Sequence, residues 1–249
     1  METELKNHLK SLASLYENEE FLVGDPSWFM HQVEDSLDKE LLAFIASSLS
    51  YGSRKQFMPK IQFILDKSQG HLYDWIVNQD YTAYIPDNKE CYYRLYTNSM
   101  MLQFFDAIRL MLKEYGSIRN FAESLKTDNT LYIIKGLTEW FAGHGSTGII
   151  PKDTISSCKR LCMFLRWMVR KDSPVDIGIW NDIIDQRTLI IPMDTHVVQE
   201  ASRLGLISSK TASMANAIKL TKRLAEIFPD DPVKADFALF GYGIDENQR

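Results

Sequence analysis

Apolar residues recur at helical spacing along most of this chain. Residues 5–16 show the pattern first, with leucines on one face at positions 5, 9, 12 and 15. The same periodicity, with stops at Gly and Pro and starts at Ser or Asp, predicts further helices. They cover residues 37–50, 53–67, 98–115, 117–125, 130–142, 156–171, 194–204 and 209–227, with a last helix that starts at 231–232. Strand signals are few and short, so the expected fold class is all-α with room for one short hairpin.

One predicted helix, residues 156–171 (SSCKRLCMFLRWMVRK), carries its cations on a single face. At 100° per residue, Lys159, Arg166 and Arg170 fall within about 60° of one another, opposite an apolar stripe. The simplest interpretation is a surface helix with a cationic face. However, Lys159 and Arg160 stand in the first turn if Ser156 or Ser157 is the cap, and the helix dipole disfavours cations there by about 0.3–1 kcal/mol. The same dipole favours a neutral amine, which can attack an electrophilic carbon and form a Schiff base.

A carboxylate stands at the start of the next predicted helix, in the segment IPMDTH (residues 191–196). Asp194 is a favoured N-cap residue, so a routine helix cap explains it without any chemistry. The alternative is that its carboxylate faces a sugar carbon and stabilises positive charge there, or takes a proton from Lys159. Both roles are compatible, because a capping Asp keeps one oxygen free. His196 is interpreted as a structural residue or a phosphate contact.

The charge and the cysteines limit the possible partners and cofactors. Taken over the whole chain, the formal net charge of −5 argues against a non-specific nucleic-acid binder. Residues 152–171 nevertheless carry six cations against one acid, which is compatible with one basic face. The three cysteines lack metal-type clustering, so we expect no zinc and no iron–sulfur cluster. The sequence lacks an apolar run long enough for a signal peptide or a membrane span, and we expect a cytoplasmic protein.

The two stretches resemble the helix-hairpin-helix DNA glycosylase superfamily. In that group a lysine begins the helix after a hairpin, and a later aspartate segment completes the site. Lys159 in CKRLCMFLR looks like the lysine of the archaeal 8-oxoguanine glycosylases, and Asp194 in MDTHV matches the aspartate segment. The whole chain is also similar to a bacterial family of unassigned function, through KRLxMFLRWMVRKD, DxGxW, DTHV and DPVKxDFALFxxG. It departs from the superfamily before the lysine helix, where IIPKD (149–153) replaces the usual Gly-x-Gly.

The resemblance implies a two-lobed helical fold with a cleft that holds a flipped base. One lobe would be residues 36–172, which end in the hairpin and the lysine helix. The other would join residues 1–35 to 173–249 and carry the aspartate. Lys159 and Asp194 would be catalytic, and the phosphate contacts would be Lys152, Arg160, Arg166, Arg170 and His196. Trp167 and Trp180 are candidates for the base pocket, although a tryptophan in such a position is more often a core residue.

The function implied is a DNA base-excision repair glycosylase, with abasic-site lyase activity as a further possibility. Its partner would be double-stranded DNA with a damaged base, for which 8-oxoguanine is the analogy. We expect a monomer without a cofactor, in the bacterial cytoplasm and at the nucleoid when bound. One alternative is a catalytically silent DNA- or RNA-binding protein, which the acidic charge and the altered hairpin favour. Another is an interaction protein that uses the fold only.

Overall fold

The computed structural model describes residues 3–146 and 148–247, so Thr147 of the glycine-rich stretch lies outside the described residues. The chain is mostly helical, as the periodicity predicts. The helices are α1 (Thr3–Tyr16), α2 (Ser36–Leu49), α3 (Arg54–Ser68), α4 (Leu72–Val77), α5 (Asn98–Tyr115), α6 (Ile118–Ser124), α7 (Thr130–Gly143), α8 (Lys159–Val169), α9 (Thr195–Arg203), α10 (Met214–Leu224) and α11 (Ala235–Asn247). One antiparallel hairpin joins β1 (Cys91–Tyr93) to β2 (Tyr96–Thr97).

Short 3₁₀ helices occupy several of the connections, at Glu19–Leu22, Pro26–His31, Asp80–Ala83, Gln186–Thr188 and Pro232–Lys234. Most predicted helices agree with the observed ones to within two residues. Two are shorter than predicted: residues 156–171 become Lys159–Val169, and residues 209–227 become Met214–Leu224. The last helix, predicted to start at 231–232, begins at Ala235 after the 3₁₀ turn Pro232–Lys234. Within the described residues, no helix has both the length and the apolar composition that a membrane span requires.

The chain divides into two compact units. We call residues 24–127 and 132–153 the central unit, and residues 1–23, 128–131 and 154–249 the terminal unit. The predicted division also joins the N-terminus to the C-terminal residues, but it differs in the position of the lysine helix. The structure places α8 in the same unit as Asp194, not in the unit of residues 24–127. The reason is that the arginines of α8 pair with acids of the terminal unit.

The central unit is built around α2, which is buried along almost its whole length. Stacked rings fill its core, with Phe44 5.9 Å from Phe104 and 5.4 Å from Phe141 between centroids. Glu40 is only 2% exposed, and its carboxylate accepts the backbone N–H groups of Ile118 and Arg119 at 2.7 and 3.1 Å. This buried acid therefore satisfies the free N–H groups at the start of α6.

In the terminal unit, α1 and α9 pack against α11. The unit also encloses a charge network, defined here as Arg166 of α8 and Arg170, the residue that caps the end of α8, with their carboxylate partners. Arg166 donates to Asp176 at 3.2 Å and to Asp236. Arg170 donates to Glu17 and Asp231, both at 2.7 Å, and to Asp176. Because both guanidinium groups also lie over the ring of Phe237, at 4.7 and 5.3 Å, the network is packed on an apolar surface.

A loop after α8 satisfies the free carbonyl groups at the end of that helix. The N–H groups of Ile177 and Gly178 donate to Trp167 O at 2.9 and 3.1 Å, and that of Trp180 donates to Met168 O at 2.7 Å. Gly178 has φ +64°, and a Cβ there would lie 2.7 Å from Arg170 O. The close approach of this loop to the helix end therefore requires glycine.

Removal of one arginine should destabilise the terminal unit strongly. In Arg170→Leu, the carboxylates of Glu17, Asp176 and Asp231 lose a buried cation, which costs about 3–5 kcal/mol of the free energy of unfolding. Urea titration followed by circular dichroism measures the change. The matched control is Arg187→Leu, because Arg187 is 66% exposed and pairs only with Asp185 among the described residues. Equal midpoints for the two variants would contradict a structural role of the network.

Candidate active site

The structure brings Lys159 and Asp194 together, as the resemblance implies. Lys159 Nζ lies 2.7 Å from Asp194 Oδ2, although the two residues are 35 positions apart. The side chains are 37% and 30% exposed, so solvent and solutes reach both groups. An amine that touches a carboxylate at an accessible surface can exchange a proton with it and can bind a substrate at the same time.

Lys159 is the first residue of α8, but the predicted cap is not the observed one. Cys158 is the N-cap, in the left-handed conformation with φ 46°, and it makes no side-chain capping bond. Ser157 instead donates its hydroxyl to Met193 O at 2.8 Å. Because Met193 precedes Asp194 directly, this bond fastens the start of α8 to the residue beside the carboxylate. Ser156 is also engaged, in an isolated antiparallel bridge with Ser213.

Asp194 combines the two roles that the sequence left open. It is the N-cap of α9, and its Oδ1 accepts the N–H of Val197 at 2.9 Å. The other oxygen, Oδ2, accepts from Lys159. Burial by itself would raise the pKa of Asp194, but the charge and hydrogen bond of Lys159, with smaller contributions from Val197 N–H and His196, hold it below its usual value. The carboxylate is therefore ionised at neutral pH.

A second carboxyl group, Asp236 on α11, lies close enough for the charges of Lys159 and Asp194 to act on it. Burial raises the pKa of Asp236 above its ordinary value, although Arg166 and Lys159 act in the opposite direction. Sequence analysis did not single out this residue. The available signal was its place in the stretch from Asp231 to Gly243, where it follows Asp231 by five residues. Asp194 and Asp236 therefore differ in proton affinity, since the pKa of the first is lowered and that of the second is raised.

Two of the predicted phosphate contacts are wrong. Arg166 and Arg170 are 3% and 1% exposed, and their guanidinium groups are bound by carboxylates of the terminal unit. The helical spacing correctly put both residues on one face of α8. That face is covered by acids from distant parts of the chain, which the periodicity of a single helix cannot reveal. In this structure neither arginine is available to a phosphate group.

Both tryptophans proposed for a base pocket are core residues. Trp167 and Trp180 are 0% exposed. Trp180 packs edge-on against Phe164, with ring centroids 5.2 Å apart and planes at 88°. The core alternative is therefore the correct one for both, because α8 and the loop at its end bury their rings inside the terminal unit. Neither ring is available as a stacking platform for a base.

The remaining predicted contacts stay accessible. Lys152 and His196 are exposed, and Arg160 is half-buried. His196 and Arg160 belong to the terminal unit, the former two residues after Asp194 and the latter directly after Lys159. Lys152 belongs to the central unit. Accessibility is necessary for a phosphate contact, so these three assignments stay predictions.

The cysteines and acids show no metal arrangement in the part of the chain that the structure describes. No group of three or more His, Cys, Asp or Glu side chains there could hold a metal ion. Cys158 and Cys162 are buried free thiols next to Lys159, and burial raises the pKa of the Cys162 thiol. The Cys162 thiol is therefore in the protonated form at neutral pH, and both cysteines serve as small buried residues around the start of α8.

Fold and site together define an all-α protein with an accessible lysine–aspartate pair at the starts of two helices. The chain belongs to the family described as Protein of unknown function (DUF2400), whose sequence profile matches residues 25–245. That range contains Lys159, Asp194 and Asp236. Neither a comparison with curated proteins nor one with solved structures gave a match. The family description assigns no activity, so the function must be argued from the site.

The pairing predicts a shift in the titration of one carboxyl group. In Lys159→Met the charge that lowers the pKa of Asp194 is lost while its burial remains, so this pKa should rise. Carboxyl ¹³C chemical shifts followed over pH 2–7 measure it. Because the folded-state pKa is depressed in the wild type, the pair stabilises the fold above about pH 3.9, the value of a free Asp. That stabilisation is lost as the pH falls through the folded-state pKa.

The control for this titration is Lys10→Met, which removes an exposed lysine of α1 in the same unit. It should leave the Asp194 titration where it is in the wild type. An unchanged Asp194 pKa in Lys159→Met would show that the two groups are not paired in solution.

Proposed function

We propose that this protein is a DNA glycosylase of the base-excision type with abasic-site lyase activity, in which Lys159 is the nucleophile and Asp194 assists it. The observation that carries the proposal is the 2.7 Å contact between Lys159 Nζ and Asp194 Oδ2 at an accessible surface. Arg166 and Arg170 are bound by carboxylates, and Lys159 is the lysine of α8, so it is the amine of that helix that a substrate can reach.

The proposed chemistry uses both groups of the pair. Lys159 gives up a proton through Asp194 to water, which leaves Asp194 ionised, and the neutral amine of Lys159 attacks C1′ of a nucleotide. The new N–C1′ bond forms as the bond from C1′ to the base breaks, and the base leaves with the bonding electrons and takes up a proton. Ring opening at C1′ then gives a protonated Schiff base, with the proton gained by the ring oxygen. The ionised Asp194 stabilises the positive charge on the sugar carbon.

The resemblance to the helix-hairpin-helix glycosylases supports the proposal. Lys159 begins a helix and Asp194 begins a later one, which is the order of the superfamily's lysine and aspartate. The all-α fold and a unit that joins N-terminal to C-terminal residues are compatible with that architecture. A base-binding cleft and the identity of the damaged base stay predictions, with 8-oxoguanine as the analogy, and so do the monomeric state and the absence of a cofactor.

A catalytically silent nucleic-acid-binding protein is the second candidate. It is favoured by the same ion pair, because a lysine that neutralises Asp194 also stabilises the junction of two helices without any chemistry. The formal net charge of −5 and the sequence IIPKD in place of the usual hairpin glycines point the same way. The two candidates differ in one respect that can be measured, which is the formation of a covalent bond to DNA.

Reductive trapping tests the proposal. The wild type is mixed with duplex DNA that carries an abasic site or 8-oxoguanine, and borohydride reduces any Schiff base to a stable amine. We expect a covalent adduct with the wild type, none with Lys159→Ala, and an adduct formed roughly 10²–10⁴-fold more slowly with Asp194→Asn. Gel electrophoresis under denaturing conditions separates the adduct from free DNA.

Lys10→Ala is the matched control, because it removes an exposed lysine that is remote in sequence from the pair. It should trap DNA at the wild-type rate. Persistence of the adduct in Lys159→Ala would exclude Lys159 as the nucleophile. Absence of any adduct with the wild type on both lesions, together with measurable DNA binding, would favour the silent binder.

A further inference from the structure

The burial of Arg166 and Arg170 leaves open which cations hold the backbone of the DNA. We propose that a basic strip on the terminal unit, defined as Lys210, Lys219 and Lys222, binds the phosphate backbone of the duplex beside Lys159. The inference rests on the proposed function, because it concerns the same nucleic-acid partner. It adds a surface on α10 and the loop before it, which the sequence analysis did not connect with DNA.

Helix α10 has one apolar face and one cationic face. Its sequence, MANAIKLTKRL, contains three cations and no acid. Ala217, Leu220 and Leu224 are buried. Lys219 and Lys222 are exposed and, at 100° per residue, about 60° apart on the opposite side of the helix. Because the apolar face of α10 packs in the core, both lysines lie on the solvent-exposed face.

The third lysine of the strip precedes the helix. Lys210 is exposed, and both of its neighbours are held by the amide group of Asn216 on α10. Asn216 Nδ2 donates to Ser209 Oγ and to Thr211 O, both at 2.8 Å. These bonds hold the loop that carries Lys210 against the first turn of α10.

The strip is fastened to the start of the lysine helix. Ser213, the N-cap of α10, forms the isolated bridge with Ser156, and Met214 N–H donates to Ile155 O at 3.3 Å. Ile155 and Ser156 lie three or four residues before Lys159. At 1.5 Å per residue, Lys222 stands about 12 Å along the helix axis from Met214. A duplex carries one charge per about 1.7 Å of its axis, so DNA that reaches Lys159 presents phosphates over this length.

The lysines of the strip are not neutralised by acids in the part of the chain that the structure describes. Arg223, on the same helix, pairs with Glu226 at 3.7 Å, and for this reason we leave it out of the strip. Lys210, Lys219 and Lys222 have no ion pair among the described residues, whereas Arg166 and Arg170 are fully engaged. Lysines that have no acidic partner in the protein can neutralise the phosphates of a nucleic-acid backbone.

The salt dependence of binding tests the strip. A fluorescein-labelled 25-base-pair duplex with a tetrahydrofuran abasic-site analogue is titrated with protein from about 50 to 300 mM potassium chloride. Each phosphate contact contributes about 0.9 to the slope of log affinity against log salt concentration. The double variant Lys219→Ala/Lys222→Ala should therefore lower the magnitude of the slope by about 1.8. The control Lys6→Ala/Lys10→Ala removes the same charge from α1 and should leave the slope unchanged.

Thermal melting confirms that both double variants are folded, and borohydride trapping with the wild type runs in parallel. A lowered slope in the strip variant alone supports the proposal. An unchanged slope in the strip variant, with a wild-type adduct present, overturns the strip and leaves the proposed function standing. Equal loss in both double variants also overturns it, because the effect would then be one of net charge. A wild type that neither binds nor traps DNA overturns both proposals.

Discussion

Two buried arginines on α8 determine where the rest of the terminal unit lies. Arg166 and Arg170 are almost fully buried, and their acid partners come from α1's end, from the loop after α8 and from the region of α11. Buried charges are tolerated only when they are paired and hydrogen-bonded, so folding of the unit must place these carboxylates against the two guanidinium groups. The network therefore ties segments from both ends of the chain to one helix and fixes the direction in which its first residue points.

The burial of the two arginines explains why Lys159 differs in exposure from the other cations on its face of the helix. One cationic face is divided between two roles, with the arginines used inside the unit and the lysine left at the surface. Ser157 and Met193 then bring the start of α9 beside it, so Asp194 can cap its own helix and pair with the amine. The pair depends on this burial, because a helix held less firmly would not keep Lys159 Nζ 2.7 Å from Asp194 Oδ2.

The sequence predicts the local features well and the long-range ones poorly. Helix positions follow from apolar periodicity, whereas the pairing of Lys159 with Asp194 is predicted through the resemblance to the lysine and aspartate segments of a known superfamily. The burial of Arg166, Trp167 and Trp180 does not follow from periodicity, because it depends on residues far away in the chain. Asp236 is 70 positions from Arg166, and the periodicity of neither helix predicts their contact. The N-cap was also mispredicted, since Ser156 and Ser157 make tertiary bonds that no local preference encodes.

The central claim is that the amine of Lys159 is the group that becomes bonded to a sugar carbon. Peptide mapping by mass spectrometry tests it most directly: the borohydride-reduced adduct of the wild type with an abasic duplex is digested by nuclease and protease. The account predicts a deoxyribose remnant on the peptide that contains Lys159. A remnant on a peptide from elsewhere in the chain, with the Lys159 peptide unmodified, would contradict it.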